Sequence, residues 1–175
     1  ICIATSLDGL DWLKQSQIIP LPNQKTYYSN GGFVIINKDL YLLVTEYSSA
    51  RYAQGSRERA HCWADLKTSF YVLNNNNWVK TEHTINGFYV NEAPRLDANQ
   101  NFFALGMDEF HNAVAFQSSI KNPFEFEKII LSNTKDGVQL SEPSWAILQN
   151  QKVILFRDLG VNRYLWQSVY LANEN

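Results

Sequence analysis

Short runs in which apolar and polar residues alternate, or in which β-branched and aromatic residues cluster, recur along the whole chain. They predict strands over 1–5, 15–20, 33–37, 40–47, 60–73, 78–84, 93–97, 102–107, 112–119, 126–131, 144–148, 152–157 and 163–170. Turn signals stand between them: Asp8-Gly9, Asn37-Lys38-Asp39, Asn74 to Asn77, Asp97-Ala98-Asn99, Lys121-Asn122-Pro123 and Asp136-Gly137. No segment sustains a period of 3.6 residues, so the expectation is an all-β protein with little helix.

The pattern also repeats. Glu92-Ala93-Pro94-Arg95 and the residues to Phe103 are echoed fifty positions later by Glu142-Pro143-Ser144-Trp145 and the residues to Val153. Phe116-Gln117-Ser118 is echoed by Trp166-Gln167-Ser168 at the same spacing, and a looser copy runs from Phe33 to Tyr41 and closes with His61-Cys62-Trp63. A strand-built repeat of roughly 40–50 residues is the mark of propeller blades, each a four-stranded antiparallel sheet. The expected fold is therefore a β-propeller fragment of about three blades' worth, short of the four or more that close a ring. Gly32, Asn91 and Ser141 should stand at the entries to the innermost strands. The ring would be closed by further blades of the same chain or by a second copy.

Composition narrows the partners. In 175 residues, 45% hydrophobic and 14% aromatic content suffices for a sizeable core, while only 18% is charged. A net charge of −2 offers no general attraction to nucleic acid or to an anionic membrane, so neither is an expected partner. No apolar run approaches the roughly 20 residues of a membrane span, and no signal peptide is visible. Cys2 and Cys62 suit no metal-ligand spacing and read as buried thiols. The three His residues make no metal signature either, so no metal and no cofactor is expected.

Ser6-Leu7-Asp8-Gly9-Leu10-Asp11-Trp12 sets a Ser, an Asp, a Gly and a Trp across one hairpin turn. The Asp can accept from backbone amides of its own turn, the Gly supplies a positive φ, and the Trp should pack between neighbouring blades. Trp78, after the Asn run, should be buried in the same way, and Phe126 stands at a corresponding place. The turn resembles a shortened Asp-box, the repeat of the sialidase (neuraminidase) superfamily, whose usual pattern is Ser-x-Asp-x-Gly-x-Thr-Trp. A second stretch is similar to the blades of that superfamily, which open with a Glu and often end their second strand with an Arg. It comprises Ser141-Glu142-Pro143-Ser144-Trp145, Val153 to Asp158, and Arg163 to Ser168. The resemblance implies one sialidase-like domain over 1–175, truncated at both ends, with blade parts near 1–20, 32–84, 91–131 and 141–175.

In such a fold the loops that enter first strands and leave second strands share one face around the central channel. Here they would run over 21–32, 45–60, 85–92, 107–112, 132–142 and 157–162. The loop over 45–60 is about nine residues longer than its counterparts and carries three Arg and two Tyr, as ligand-contacting loops often do. The resemblance implies a carboxylated glycan such as a sialoside as substrate. Arg157 would grip the sugar carboxylate bidentately, and Glu142 would draw the proton from a tyrosine nucleophile. Tyr serves there because a carboxylate nucleophile would be repelled by a centre that already bears a carboxylate. Arg59, Glu92, Asp108, His111 and Asp158 are the remaining substrate-contact candidates on that face. Two other readings stand beside this one: a polysaccharide lyase using His111 or His61 against a uronate, and a carbohydrate-binding propeller without chemistry. A secreted or periplasmic location is expected from the substrate class alone.

Overall fold

The computed structural model describes residues 2–17, 19, 26–52, 60–131, 140–148, 151–158 and 167–172, and every regular element among them is a β-strand. Strands β1 (Cys2–Thr5) and β2 (Leu13–Gln17) form an antiparallel ribbon. β3 (Tyr27–Ile36) and β4 (Asp39–Tyr47) are followed by a separate ribbon of β5 (Ser49–Tyr52) and β6 (Ala60–Ala64), then by β7 (Lys67–Asn74) and β8 (Asn77–Asn86). β3, β4, β7 and β8 pair in that order as the first four-stranded sheet. β9 (Tyr89–Leu96), β10 (Asn101–Met107), β11 (Ala113–Ser119) and β12 (Glu127–Ile130) form the second. β13 (Leu140–Leu148), β14 (Gln151–Asp158) and β15 (Gln167–Ala172) form a third, three-stranded among the described residues. All pairings are antiparallel between neighbours in the order.

Turn chemistry sets these registers. Asn37-Lys38 (φ 52° and 74°) link Ile36 to its partner Asp39, and Asn75-Asn76 (φ 46° and 63°) link Asn74 to Asn77. Two successive left-handed residues make the type I′ turn, whose twist suits a two-residue hairpin. Asn tolerates that region, whereas Lys38 sits there at a steric cost.

The sheets stack face to face. Val34, Ile36, Leu43, Phe70 and Ile85 of the first pack against Phe88, Val90, Phe102, Ala104, Val114 and Phe116 of the second. The opposite face of the second, through Phe103, Leu105, Ala113 and Ala115, packs on Trp145 and Ile154 of the third. Successive side chains of β10 thus point into two different cores, which is why 102–105 reads as an unbroken apolar run. Each fully buried Phe or Leu in these layers contributes about 1.5–3 kcal/mol. First strands lie side by side. A Cβ on Gly32 would stand 2.6 Å from the Cβ of Ala93, so β3 and β9 approach as closely as they do only because residue 32 has no side chain.

Several expectations need correction. The span 60–73 is two strands, divided where Asp65 takes φ 54° before Leu66. β3 begins at Tyr27, not Gly32, because Tyr27, Tyr28 and Ser29 pair with Tyr47, Glu46 and Thr45 across a bulge at Asn30. Asn91 and Ser141 do lie within two residues of their strand starts. The turn at 6–12 has the expected bonds: Asp8 Oδ1 accepts from the Leu10 and Asp11 amides, and Ser6 Oγ accepts from the Gly9 amide, with Gly9 at φ 78°. Trp12, however, is 61% exposed, its Nε1–H donating to Gly9 O, because no described sheet lies over the β1–β2 turn. Trp78 is half-buried against Phe33, at a centroid distance of 5.9 Å.

Candidate site at the strand starts

The starts of β3, β9 and β13 and the ends of β4, β10 and β14 share one end of the stack. Ser29 Oγ lies 2.6 Å from Tyr89 Oη, joining the beginnings of β3 and β9, and Ser144 Oγ donates to Glu92 Oε1, joining β9 to β13. Each first strand is bulged near this end: at Asn30 in β3, at Asn91 and Ala93-Pro94 in β9, and at Glu142-Pro143 in β13. A bulge re-aims the side chains beside it, and it accommodates a proline that has no amide to give the ladder.

Glu142 occupies the third bulge with φ 48°. The other non-glycine residues at positive φ among those described sit in turns or bends, and Glu142 alone lies inside a strand. Such a conformation costs on the order of 1 kcal/mol or more and persists where the surroundings enforce it, most often at functional positions. Its side chain is half-buried. On the neighbouring strand Arg157 pairs with Ser141, and Asp158 with Leu140, so Glu142, Arg157 and Asp158 meet at one end of β13–β14. The side chains of Arg157 and Asp158 lie outside the described residues, as do all of Arg59 and the side chains of His61, Cys2 and Cys62.

Glu92 and Asp108 are committed to structure. Glu92 Oε2 accepts from Arg95 Nη2 at 2.6 Å, and its Oε1 takes the Ser144 hydroxyl and the Trp145 amide (3.3 Å). Arg95 also donates to Trp145 O at 2.7 Å and lies 4.6 Å from the Trp145 ring centroid. This bracket locks the second sheet to the third. Asp108 Oδ1 accepts from the Phe110 and Asn112 amides, both at 2.9 Å, and Oδ2 faces Lys128 Nζ at 3.5 Å. The β9–β10 turn is built the same way: Asp97 Oδ1 accepts from the Asn99 and Asn101 amides while Gln100 takes φ 61°, as His111 takes 65°. Asp108 and His111 are thus parts of one recurrent Asx-type turn. His111 is buried, its ring 4.0 Å from that of Trp63.

Trp63 and Tyr89, absent from the sequence-based candidates, prove central here. The β5–β6 ribbon folds back so that the Trp63 amide donates to Glu109 O at 3.1 Å. Trp63 then stacks on Tyr89 at 4.6 Å, and Tyr47 stands 6.4 Å beyond it, itself stacked on Tyr27 at 5.6 Å. The described parts of the segment after Tyr47, β5 and β6, therefore form a ribbon that carries an aromatic residue over the strand starts. Reading 60–73 as one strand hid this, although Asp65 in the Ala64-Asp65-Leu66 stretch was a signal for a break.

A Tyr–Glu contact does form, but elsewhere. Tyr71 Oη donates to Glu46 Oε1 at 3.1 Å on the outer side of the first sheet. Lys80 Nζ reaches both Glu46 oxygens at 2.7 and 2.8 Å, with Lys67 at 3.8 Å. Burial first, then the Glu46 charge and the Tyr28 hydroxyl, push Tyr71 well above the ordinary tyrosine range, so its phenol stays protonated. It is a poor nucleophile, and Glu46, expected on the channel face, is a buried ion-pair partner. Among the described residues no three His, Cys, Asp or Glu side chains converge as metal ligands, and no helix is long and apolar enough to cross a membrane. No protein-family model matches the chain, and neither the curated proteins nor the solved structures give a match.

Proposed function

We propose that the stacked sheets are successive blades of a sialidase-like β-propeller, part of a six-bladed ring, and that the end carrying Glu142 and Arg157 acts on a carboxylated glycan. Three features support the blade reading. Each sheet is a meander in chain order, consecutive sheets pack face to face, and their first strands adjoin, as strands around a channel must. The observation that carries the functional reading is the left-handed Glu142 inside a bulged strand, at the end where Arg157 pairs with its neighbour Ser141. A strained carboxylate beside a guanidinium-bearing strand end is a device for holding an anionic sugar and moving a proton.

In this reading Arg157 binds the sugar carboxylate bidentately. Glu142 accepts the proton of a tyrosine supplied by another blade as the tyrosine oxygen attacks the anomeric carbon. The glycosidic bond breaks, the departing aglycone oxygen takes a proton from an acid on another blade, and water then cleaves the sugar–tyrosine bond with overall retention. Asp158, next to Arg157 in the chain, and Arg59 are the further candidates for contact with the same glycan. Glu92, Asp108 and His111 hold the blades and loops on which the site is built. A secreted or periplasmic location goes with a substrate of this class.

One observation favours a second reading, a propeller that binds glycans without cleaving them: the carboxylates of Glu92 and Asp108 are saturated by structural bonds, which leaves fewer groups for chemistry. Turnover of a fluorogenic sialoside by the full chain and by Glu142→Gln, Arg157→Ala and Arg157→Lys distinguishes the two. The hydrolase reading expects a severe loss in all three variants, since Lys cannot reproduce the bidentate grip. No turnover by the wild type, with sialoside binding intact, selects the binding propeller.

A further inference from the structure

The aromatic rings at the strand starts form a row that outruns its structural task. Its inner members hold the ribbon down. Trp63 is half-buried between β9 and the β10–β11 loop, close to both Tyr89 and His111, and its amide is tied to Glu109. Tyr47 extends the row to Tyr27, the last ring of it among the described residues. Tyr27 stacks on Tyr47 at an interplanar angle of 21°, yet it remains 54% exposed. A ring that is covered on one side and open on the other is not needed for docking the ribbon. Leaving it wet costs apolar area that a smaller or polar residue at an exposed strand start would not expose.

From this geometry we infer that Tyr27, backed by Tyr47 and Trp63, is a stacking subsite for an uncharged sugar ring, adjoining the end of the stack that holds Glu142. The inference rests on the glycan reading above and extends it from the charged sugar to its neutral neighbour. A pyranose presents a face of C–H groups ringed by hydroxyls. A tyrosine matches that surface, with an apolar face for the C–H groups and a hydroxyl at the rim for the polar edge. The members of the row (Tyr27, Tyr47, Trp63 and Tyr89, with the Ser29 hydroxyl beside Tyr89) carry no formal charge. None of these five side chains offers a counter-ion to a carboxylate, whereas a neutral ring needs none. Two phenols stacked in advance also present the platform without ordering a flexible side chain on binding.

The test is binding of lactose and of 3′-sialyllactose to the full chain by saturation-transfer NMR and titration calorimetry, with thermal melts alongside. Tyr27→Ala should weaken lactose binding about tenfold, the scale of one lost aromatic contact, and leave the melting temperature within a degree or two. Tyr27→Phe should retain most of the binding, because the face carries the contact. Trp63→Ala should lower the melting temperature as well, since it releases the ribbon. Wild-type affinity in Tyr27→Ala overturns the inference, as does a drop in stability equal to that of Trp63→Ala. If lactose is not bound while sialoside is hydrolysed, the subsite is refuted and the Glu142–Arg157 reading stands. If lactose is bound through Tyr27 and no sialoside is bound or hydrolysed, the subsite stands and the hydrolase reading falls.

Discussion

Asp97 and Lys152 form the buried link between the second and third sheets, and breaking it should be among the most damaging changes available. The Lys152 ammonium lies 3.1 Å from Asp97 Oδ2, with side chains 8% and 1% exposed. Asp97 Oδ1 meanwhile accepts the Asn99 and Asn101 amides of its own turn. Lys152→Met keeps most of the side-chain volume and leaves the carboxylate with its two amides but without its cation. The cost should fall at the low end for a broken buried pair, about 3 kcal/mol. Asp97→Ala does more, because it takes a carboxylate at 3.1 Å from a buried ammonium and the acceptor from two turn amides. Proximity to the Phe103 ring, 4.0 Å from Nζ, offsets only part of that. The expected loss is about 5 kcal/mol. In the double variant Asp97→Asn/Lys152→Met no charge is buried and the amide oxygen still caps the turn. It should therefore cost well under the sum of Asp97→Asn and Lys152→Met measured singly. Urea denaturation gives these differences, and in melts each kcal/mol should appear as about 2–4 °C. If Asp97→Ala costs under about 1 kcal/mol, or the double variant is additive, the buried link is not the determinant argued here.

Other consequences can be checked in parallel. Gly106→Ala should destabilise by about 2 kcal/mol or more, because its Cβ would meet Tyr89 O at 2.0 Å and Phe88 Cε2 at 2.5 Å; a wild-type melt would contradict that packing. Gly32→Ala should also destabilise, and Ala93→Gly should restore part of the loss by removing the atom it meets, which a thermal melt of the double variant would show. Lys38→Gly should raise stability by up to about 1 kcal/mol through relief of its left-handed backbone, and no change would mean the turn relaxes at no cost. Asp8 should titrate below an ordinary aspartate, held down by the Asp11 and Leu10 amides and the Ser6 hydroxyl. Its contribution to the turn is then complete above the ordinary aspartate range and fades as the pH falls through the depressed value. Carboxyl NMR of Asp8 checks this, and an unshifted midpoint would contradict it.

Much of the fold was legible because local signals agreed. Two-residue turns with Asn in left-handed positions fix hairpins by themselves, and the unbroken apolar runs 33–36 and 102–105 mark strands, though not which residue faces which side. The repeat placed the blade entries Asn91 and Ser141 within two residues of the starts of β9 and β13, while the strands read as 93–97 and 144–148 begin four residues earlier, because the stretches before them pair with β10 and β14 across bulges. What escaped depends on contacts distant in sequence. β3 extends back to Tyr27 only because Tyr47 and Glu46 pair with it, and nothing in the polar string around Ser29 and Asn30 signals a strand. The β5–β6 ribbon escapes because 60–73 reads as one strand, and only the contacts of Trp63 with Glu109 and His111 show its first part turned aside. Trp12 was assigned to an interface because the turn before it has the right form, but burial needs a partner surface, which no turn sequence supplies. For the site, residue type and position pointed to Glu92 and Asp108, while only geometry showed their oxygens already occupied. The left-handed backbone of Glu142 has no sequence signature at all.

The most direct test of the account is a crystal structure of the full chain soaked with sialic acid. The account predicts the sugar at the start of β13, its carboxylate held by two parallel N–H bonds from the Arg157 guanidinium, with the Glu142 carboxylate facing the same cleft. A sugar bound elsewhere, or Arg157 and Glu142 pointing to opposite sides of the sheet, would contradict it.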